Sequence, residues 1–99
     1  MVNKEFVNNM FDVKGKVAII TGATGALGKA VCFGYGHAGM KVMVTGRKEE
    51  TCRALCDELE AEGIECGYSC GDPAVEEDVI KVVDDTVKKF GEINVLVTS

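Results

Sequence analysis

Between an apolar run and a helical pattern, the chain reads Thr21-Gly22-Ala23-Thr24-Gly25-Ala26-Leu27-Gly28. The preceding residues, Val17-Ala18-Ile19-Ile20, are continuously apolar, which is typical of a strand buried on both faces of a parallel sheet. Glycine at position 22 can adopt the backbone angles of a tight turn. The sequence here therefore predicts a strand, a sharp turn and a helix in succession.

The same turn is suited to bind an anion. A small residue at the start of a helix lets the backbone approach a pyrophosphate, whose charge meets free N–H groups and the helix dipole. Gly28 would let the helix pack closely against the strand. We therefore predict that a dinucleotide contacts Gly22, Thr24, Gly25, Ala26, Leu27 and Gly28.

Strand and helix patterns alternate along the rest of the chain. Helices are predicted over 26–38, 49–62 and from Pro73 to Phe90, the last with a buried stripe of Val79, Val82, Val83, Val87 and Phe90. Strands are predicted over 41–45, 64–70 and 93–97. Helices between strands force parallel pairing through right-handed crossovers. The sequence therefore predicts an α/β fold, a partial Rossmann-type doubly wound parallel sheet of strand order 3-2-1-4, with its ligand at the carboxyl ends of the strands.

Length, charge and hydropathy exclude several classes of function. Ninety-nine residues allow one domain, which we divide into an N-terminal arm at 1–10 and a partial domain at 11–99. The net charge of −5 argues against nucleic-acid binding, and no apolar run approaches the ~20 residues that span a bilayer. Residues 1–10 lack the apolar core of a secretory signal. We expect a cytoplasmic protein with neither nucleic-acid nor membrane partners.

The five cysteines include no pair spaced CxxC. Metal or redox chemistry is one interpretation, but we favour reduced thiols that pack as small apolar residues, and we predict no metal site. On the predicted helix over 49–62, the spacing of three and four residues predicts one buried face made of Cys52, Leu55, Cys56 and Leu59.

The end of the second predicted strand bears on the choice of cofactor. Rossmann domains that bind NAD carry an acid about 20 residues after the last glycine, which holds the ribose hydroxyls. Here Gly46 follows Gly28 by eighteen residues, and Arg47 and Lys48 come next. A guanidinium can pair with a 2′-phosphate that a carboxylate would repel. Gly46 and Arg47 therefore predict NADP in preference to NAD, the alternative being that Arg47 is a solvated loop residue.

A resemblance to the short-chain dehydrogenase/reductases begins with Phe11-Asp12-Val13-Lys14-Gly15-Lys16-Val17-Ala18-Ile19-Ile20-Thr21-Gly22 and continues through Asp72 and Phe90-Gly91 to Leu96-Val97. The family's single-domain branch usually reads TGxxxGxG, with glycine where this chain has Ala26. The observed spacing also fits TGxxGxxG, which is common in the extended, epimerase-like branch.

This resemblance also implies roles for residues after the third and fourth strands. Asp72, followed by Pro73, matches an acid that hydrogen-bonds the adenine amino group, although Asp72 could instead only cap a helix. Thr98 and Ser99 stand where the family usually has two asparagines, which line the cofactor site.

The resemblance implies hydride transfer between NADP(H) and a carbonyl or secondary alcohol. It also implies that the full-length protein takes a small-molecule substrate and forms a homo-oligomer. The family's catalytic tyrosine, its lysine four residues on and its serine lie downstream of Ser99, and Tyr35 and Tyr68 lack such a lysine, so we name no catalytic residue. Two alternatives stay open: a non-catalytic nucleotide-binding or interaction module, and an epimerase or lyase of the extended branch.

Overall fold

A computed structural model describes residues 13–99. Along this part of the chain the elements are β1 (Val17–Thr21), α1 (Ala26–His37), β2 (Lys41–Val44), α2 (Glu49–Ala61), β3 (Cys66–Tyr68), α3 (Glu76–Phe90) and β4 (Val95–Thr98). The predicted arm at 1–10 lies outside the described residues. No helix of the described part is both long and apolar enough to cross a membrane.

The four strands form one parallel sheet in the order β3-β2-β1-β4, which confirms the predicted Rossmann-type topology. In register, Ile19 on the central strand β1 lies beside Met43 of β2 on one side and Leu96 of β4 on the other. The strand order reverses between β1 and β4. A parallel sheet with this order opens a crevice at the carboxyl ends of its strands.

The two faces of the sheet are covered unequally. Helices α1 and α2 pack on one face, where the periodic positions Cys52, Leu55, Cys56 and Leu59 are buried as predicted. Helix α3 packs on the other face through Val82, over Ile19 and Met43. All five cysteines are free, and four of them are buried in the same core as the apolar side chains.

The predicted start of α3 is wrong. The helix begins at Glu76 and not at Pro73, because a turn precedes it. In that turn the Val75 amide donates to the Asp72 carbonyl at 2.9 Å, and the Ala74 amide donates to Asp72 Oδ1 at 2.9 Å. A side-chain bond of this kind competes with helix formation.

The predicted buried stripe of α3 is only partly correct. Val82 is buried and Phe90 is half-buried, but Val79, Val83 and Val87 are about two-fifths exposed, at 42%, 39% and 46%. The periodicity does place these residues near one face of the helix, and no described element covers that part of it.

The limits of β3 and β4 differ from the prediction by two residues, β3 at both ends and β4 at its start. β3 covers only Cys66–Tyr68, the residues that pair with β2. β4 begins at Val95, because Asn94 is held beside Val17 by its own side chain: the Val17 amide donates to Asn94 Oδ1 at 2.8 Å.

Candidate dinucleotide-binding cleft

An open cleft of about 890 Å³ lies at the carboxyl ends of the four strands. One end of it is polar and is formed by the loops that follow β1, β2 and β3. The other end is apolar and lies between α3 and the sheet, lined by Ile19, Val79, Val82, Val83, Ile93 and Leu96. The cleft therefore offers a polar region and an apolar region to one elongated ligand.

Residues 22–25 connect β1 to α1, and we call them the glycine turn. This turn forms one wall of the polar end of the cleft. Gly22 has φ +62°, a left-handed conformation that glycine adopts without strain, and its carbonyl accepts the Gly25 amide at 3.1 Å. The Ala23 amide donates to the Thr45 carbonyl at 3.2 Å, which ties the turn to the end of β2. A Cβ on Gly28 would overlap the Gly22 carbonyl oxygen, so α1 begins as close to the turn as a glycine permits.

The amino end of α1 is electrostatically open. Gly25 occupies the N-cap position without a side-chain cap bond, and the first turn of the helix holds no acid. The positive end of the helix dipole therefore lacks a compensating carboxylate in its own first turn, which favours an anion there.

The ends of β2 and β3 meet beside the turn. The Gly71 amide donates to the Gly46 carbonyl at 3.0 Å, which holds the two strand ends together. Arg47 follows, with a side chain that is 74% exposed, and its Nη2 lies 3.7 Å from Asp72 Oδ1. Burial raises the pKa of Cys52, which lies beneath Gly46, to about 12, and the neighbouring Cys70 thiol adds to the shift.

Asp72 is positioned by a second carboxylate. Its backbone amide donates to Asp78 Oδ2 at 2.9 Å, while its own Oδ1 accepts the Ala74 amide. Asp78 is half-buried in the first turn of α3, where an acid is favourable to the helix dipole. Asp72 therefore caps the local turn, but not the helix itself.

The end of β4 is fastened to the glycine turn. The Ser99 hydroxyl donates to the Thr21 carbonyl at 2.6 Å and lies 3.3 Å from the Gly22 carbonyl oxygen. A Cβ on Gly22 would lie 2.6 Å from the Ser99 carbonyl oxygen. The turn and the end of β4 thus approach too closely for any other residue at position 22.

Most residues predicted to bind a cofactor line this cleft: Gly22, Thr24, Gly46, Arg47, Asp72, Pro73 and Thr98. The others do not line it and lie at the amino end of α1: Gly25, Ala26, Leu27 and Gly28. Leu27 is 70% exposed, so its side chain makes little contact with the described residues.

Sequence reasoning missed several residues of the cleft. Thr45, Thr51 and Asp78 line it, as does the apolar wall on α3. The apolar periodicity of α3 was visible in the sequence, but it was interpreted only as packing. Nothing in the sequence marks Asp78, because its partner in the structure is a backbone amide.

The amino-acid sequence is similar to those of several characterised proteins. The A-factor type gamma-butyrolactone 1'-reductase (1S-forming) of Streptomyces virginiae is 37% identical over 79 residues, which are 80% of this chain and 31% of that protein. The chain spans about a third of the length of the curated relatives it matches.

The fold is also similar to those of solved structures. Actinorhodin polyketide ketoreductase with NADPH superposes with a TM-score of 0.82 and 31% identity over 85% of this chain and 32% of that one. A metagenomic short-chain oxidoreductase in complex with NADP gives 0.77 and 29%, over 84% of this chain and 38% of that one. The model of the short chain dehydrogenase family matches residues 16–99, which include every strand and helix described above. The chain that folds into this sheet and cleft thus belongs to the short-chain dehydrogenase family.

Proposed function

We propose that the protein is an oxidoreductase that transfers hydride between NADP(H) and a carbonyl or secondary alcohol, and that this chain binds the dinucleotide. One observation carries the choice of NADP: the Arg47 guanidinium stands exposed at the rim of the cleft, after β2, where Gly46 replaces an acid. The solved structures with NADPH and with NADP among the similar proteins are consistent with this choice.

The residues present suit the parts of such a cofactor. Glycine at positions 22 and 28 lets the end of β4, the turn and the amino end of α1 approach one another, and we assign the pyrophosphate to that uncapped amino end, beside Thr24. We assign Gly25, Ala26 and Leu27 to the same anion site, through the backbone of the first turn. When bound, the nicotinamide ring supplies or accepts the hydride, and the protein contributes orientation and charge.

The opposite end of the cofactor would lie between the ends of β2 and β3. We assign the 2′-phosphate to Arg47 beside Gly46, and the adenine amino group to Asp72 beside Pro73. The Arg47–Asp72 ion pair does not prevent this, because exposed pairs at 3.7 Å are weak and a phosphate is a stronger partner for the guanidinium. Thr98 lines the cleft at the end of β4, and we assign it to the cofactor as well.

The test of cofactor choice is the ratio of NADP to NAD affinity in the full-length protein, before and after Arg47→Ala. Charge-assisted hydrogen bonds contribute roughly 1.5–3 kcal/mol, and solvent exposure at the rim reduces this. We therefore expect the wild type to prefer NADP by about tenfold, equivalent to about 1.4 kcal/mol, and the variant to lose that preference.

The matched control is Arg53→Ala, which removes an exposed arginine of α2 that does not line the cleft. We expect it to leave the affinity ratio unchanged. A wild type that favours NAD, or an Arg47→Ala ratio equal to that of the wild type, would show that Arg47 does not determine cofactor choice.

The reaction itself is tested by following NADPH oxidation by the full-length protein over a panel of ketones and aldehydes. We expect turnover with at least one carbonyl. Tight NADPH binding without turnover on any member would favour the non-catalytic nucleotide-binding alternative.

A further inference from the structure

Three atoms that can ligate a metal converge away from the cleft, where α2 packs on the start of β3. Cys56 Sγ lies 3.0 Å from Cys66 Sγ and 3.7 Å from Glu60 Oε1. The three ligand atoms all lie within 4.8 Å of one another. Both cysteines are buried, with exposures of 5% and 4%, whereas Glu60 is exposed to solvent. We call these residues the Cys56–Glu60–Cys66 cluster.

Local folding explains why the cluster forms. Cys56 and Glu60 are one helical turn apart and therefore share a face of α2. The chain then reverses at Gly63, which has φ +78°, and the Ile64 amide donates to the Leu59 carbonyl at 3.1 Å. This reversal brings Cys66 against the face of α2 that carries Cys56 and Glu60. The ten-residue separation of the two cysteines matches no common zinc motif, so the sequence alone gave no signal.

The distances suit a tetrahedral ion. Zinc–sulfur bonds are about 2.3 Å, so two thiolates on one tetrahedral zinc lie about 3.8 Å apart. The two sulfurs would separate by about 0.8 Å from their present positions, which small rotations about the Cα–Cβ bonds provide. The third ligand is the long, solvent-exposed side chain of Glu60, which can adjust its position at little cost.

We propose that the Cys56–Glu60–Cys66 cluster binds a thiophilic divalent cation, Zn²⁺, through two thiolates and one carboxylate, with water at the fourth position on the exposed side. Thiolate ligands select zinc over magnesium and calcium, which prefer oxygen. The bound ion would fasten α2 to β3, and none of its three ligands lines the cleft.

The charged side chains near the cluster act in opposite directions. Two thiolates and a carboxylate carry one negative charge more than Zn²⁺ neutralises. Lys89 of α3 interacts electrostatically with Cys66 in the sense that favours the thiolate, from the opposite face of the sheet, where its side chain lies over Gly67. Asp57 adds a further negative charge near Cys56.

A Co²⁺ titration of the reduced, chelator-treated protein tests the proposal, because thiolate bonds to Co²⁺ give a charge-transfer absorption that carboxylates do not. We expect one Co²⁺ per chain, displaced by Zn²⁺. Cys56→Ser and Cys66→Ser should each abolish the absorption. Glu60→Gln should keep it but weaken binding by at least about tenfold, since even groups behind the ligands contribute about 10–100-fold to metal affinity.

Two control variants are available in the same part of the chain. Cys70→Ser alters a half-buried cysteine outside the cluster, and Glu50→Gln alters an exposed acid in the first turn of α2. Both should bind Co²⁺ as the wild type does. Circular dichroism establishes that each variant is folded, and Glu60→Gln, at an exposed position, decides the question if the buried variants do not fold.

Several results would overturn the proposal. These are no charge-transfer absorption in the wild type, an absorption that survives in folded Cys56→Ser and Cys66→Ser, or a loss of it in Cys70→Ser. A fall of two in the free-thiol count without any metal would show that Cys56 and Cys66 instead form a disulfide. If Glu60→Gln and Glu50→Gln bind Co²⁺ with equal affinity, the Glu60 carboxylate is not a ligand and the proposed three-residue site is wrong.

Discussion

At position 28, a single methyl group is enough to disturb the cleft. A Cβ on Gly28 would overlap the Gly22 carbonyl oxygen and lie 2.8 Å from Ala23 Cα. Both are backbone atoms of the turn, so no side chain can rotate away to make room, and the turn or the helix must move. Gly34, in the same helix, has nothing within 4 Å of its Cβ position.

These two glycines should therefore respond to alanine in opposite directions. We expect Gly28→Ala to lower the free energy of unfolding by about 1–3 kcal/mol, because overpacking outweighs the better helix propensity of alanine. Gly34→Ala should raise it by up to about 1 kcal/mol, since only propensity changes there. Chemical denaturation of both variants measures the difference, and shifts of the same sign would contradict the described approach of α1 to the turn.

Gly46 lacks an acidic side chain, and the packing around it also bears on that absence. The sequence shows that no acid stands at this position, and cofactor preference was inferred from that. In the structure, a Cβ on Gly46 would lie 3.1 Å from Cys52 Sγ and 3.6 Å from Thr24 Oγ1. Any side chain at 46, a carboxylate included, would require this buried thiol to shift by a few tenths of an ångström, so packing also favours glycine here.

At the scale of elements, the sequence predicts best the features that follow from apolar spacing and from the rules for connecting strands. The spacing of Leu55 and Leu59 predicted the buried face of α2, and crossover rules predicted the strand order. The start of α3 escaped prediction because it depends on the turn in which Asp72 accepts hydrogen bonds from the Ala74 and Val75 amides. Periodicity likewise showed which valines share a face of α3, but not whether another element covers it.

The buried face of α1 has a consequence for stability at alkaline pH. Cys32 is fully buried against the sheet, and burial raises the pKa of its thiol from 9.0 to about 11. The unfolded chain ionises this thiol first, so its contribution to stability is fully present below pH 9 and is lost as the pH rises toward 11. The expected loss is about 1.4 kcal/mol per pH unit in this window.

Denaturant unfolding of the wild type and of Cys32→Ala, at pH values from 8 to 11, checks this expectation. The variant should show a shallower fall in unfolding free energy above pH 9, since one fewer buried thiol titrates. Gly34→Ala, at an exposed position of the same helix, alters no thiol, serves as the control and should retain the dependence on pH seen in the wild type. Parallel curves for wild type and Cys32→Ala would contradict the burial of Cys32.

At the scale of the whole fold, most of the exposed large apolar side chains of residues 13–99 lie on α3 and β4. Val79, Val83 and Val87 of α3 are about two-fifths exposed, and Leu96 of β4 is 63% exposed. Leu96 lies in register with Ile19 on β1, but α3 leaves Leu96 largely uncovered. Among the strands of residues 13–99, β4 also lies at the edge of the sheet, where backbone groups on the outer side of a strand have no strand partner. An apolar patch beside an open edge favours association with a second chain.

We therefore expect the isolated 99-residue chain to self-associate through α3 and β4, despite its net charge of −5. Leu96→Lys should weaken that association by at least about tenfold, since removing one apolar side chain from an interface costs about 1.5–3 kcal/mol. Leu27→Lys is the matched control, because Leu27 is 70% exposed but lies at the amino end of α1, outside the patch. Sedimentation velocity over a range of concentrations measures the self-association of the wild type and of both variants. A wild type that stays monomeric throughout, or a control that weakens association as much as Leu96→Lys, would show that this patch does not drive assembly.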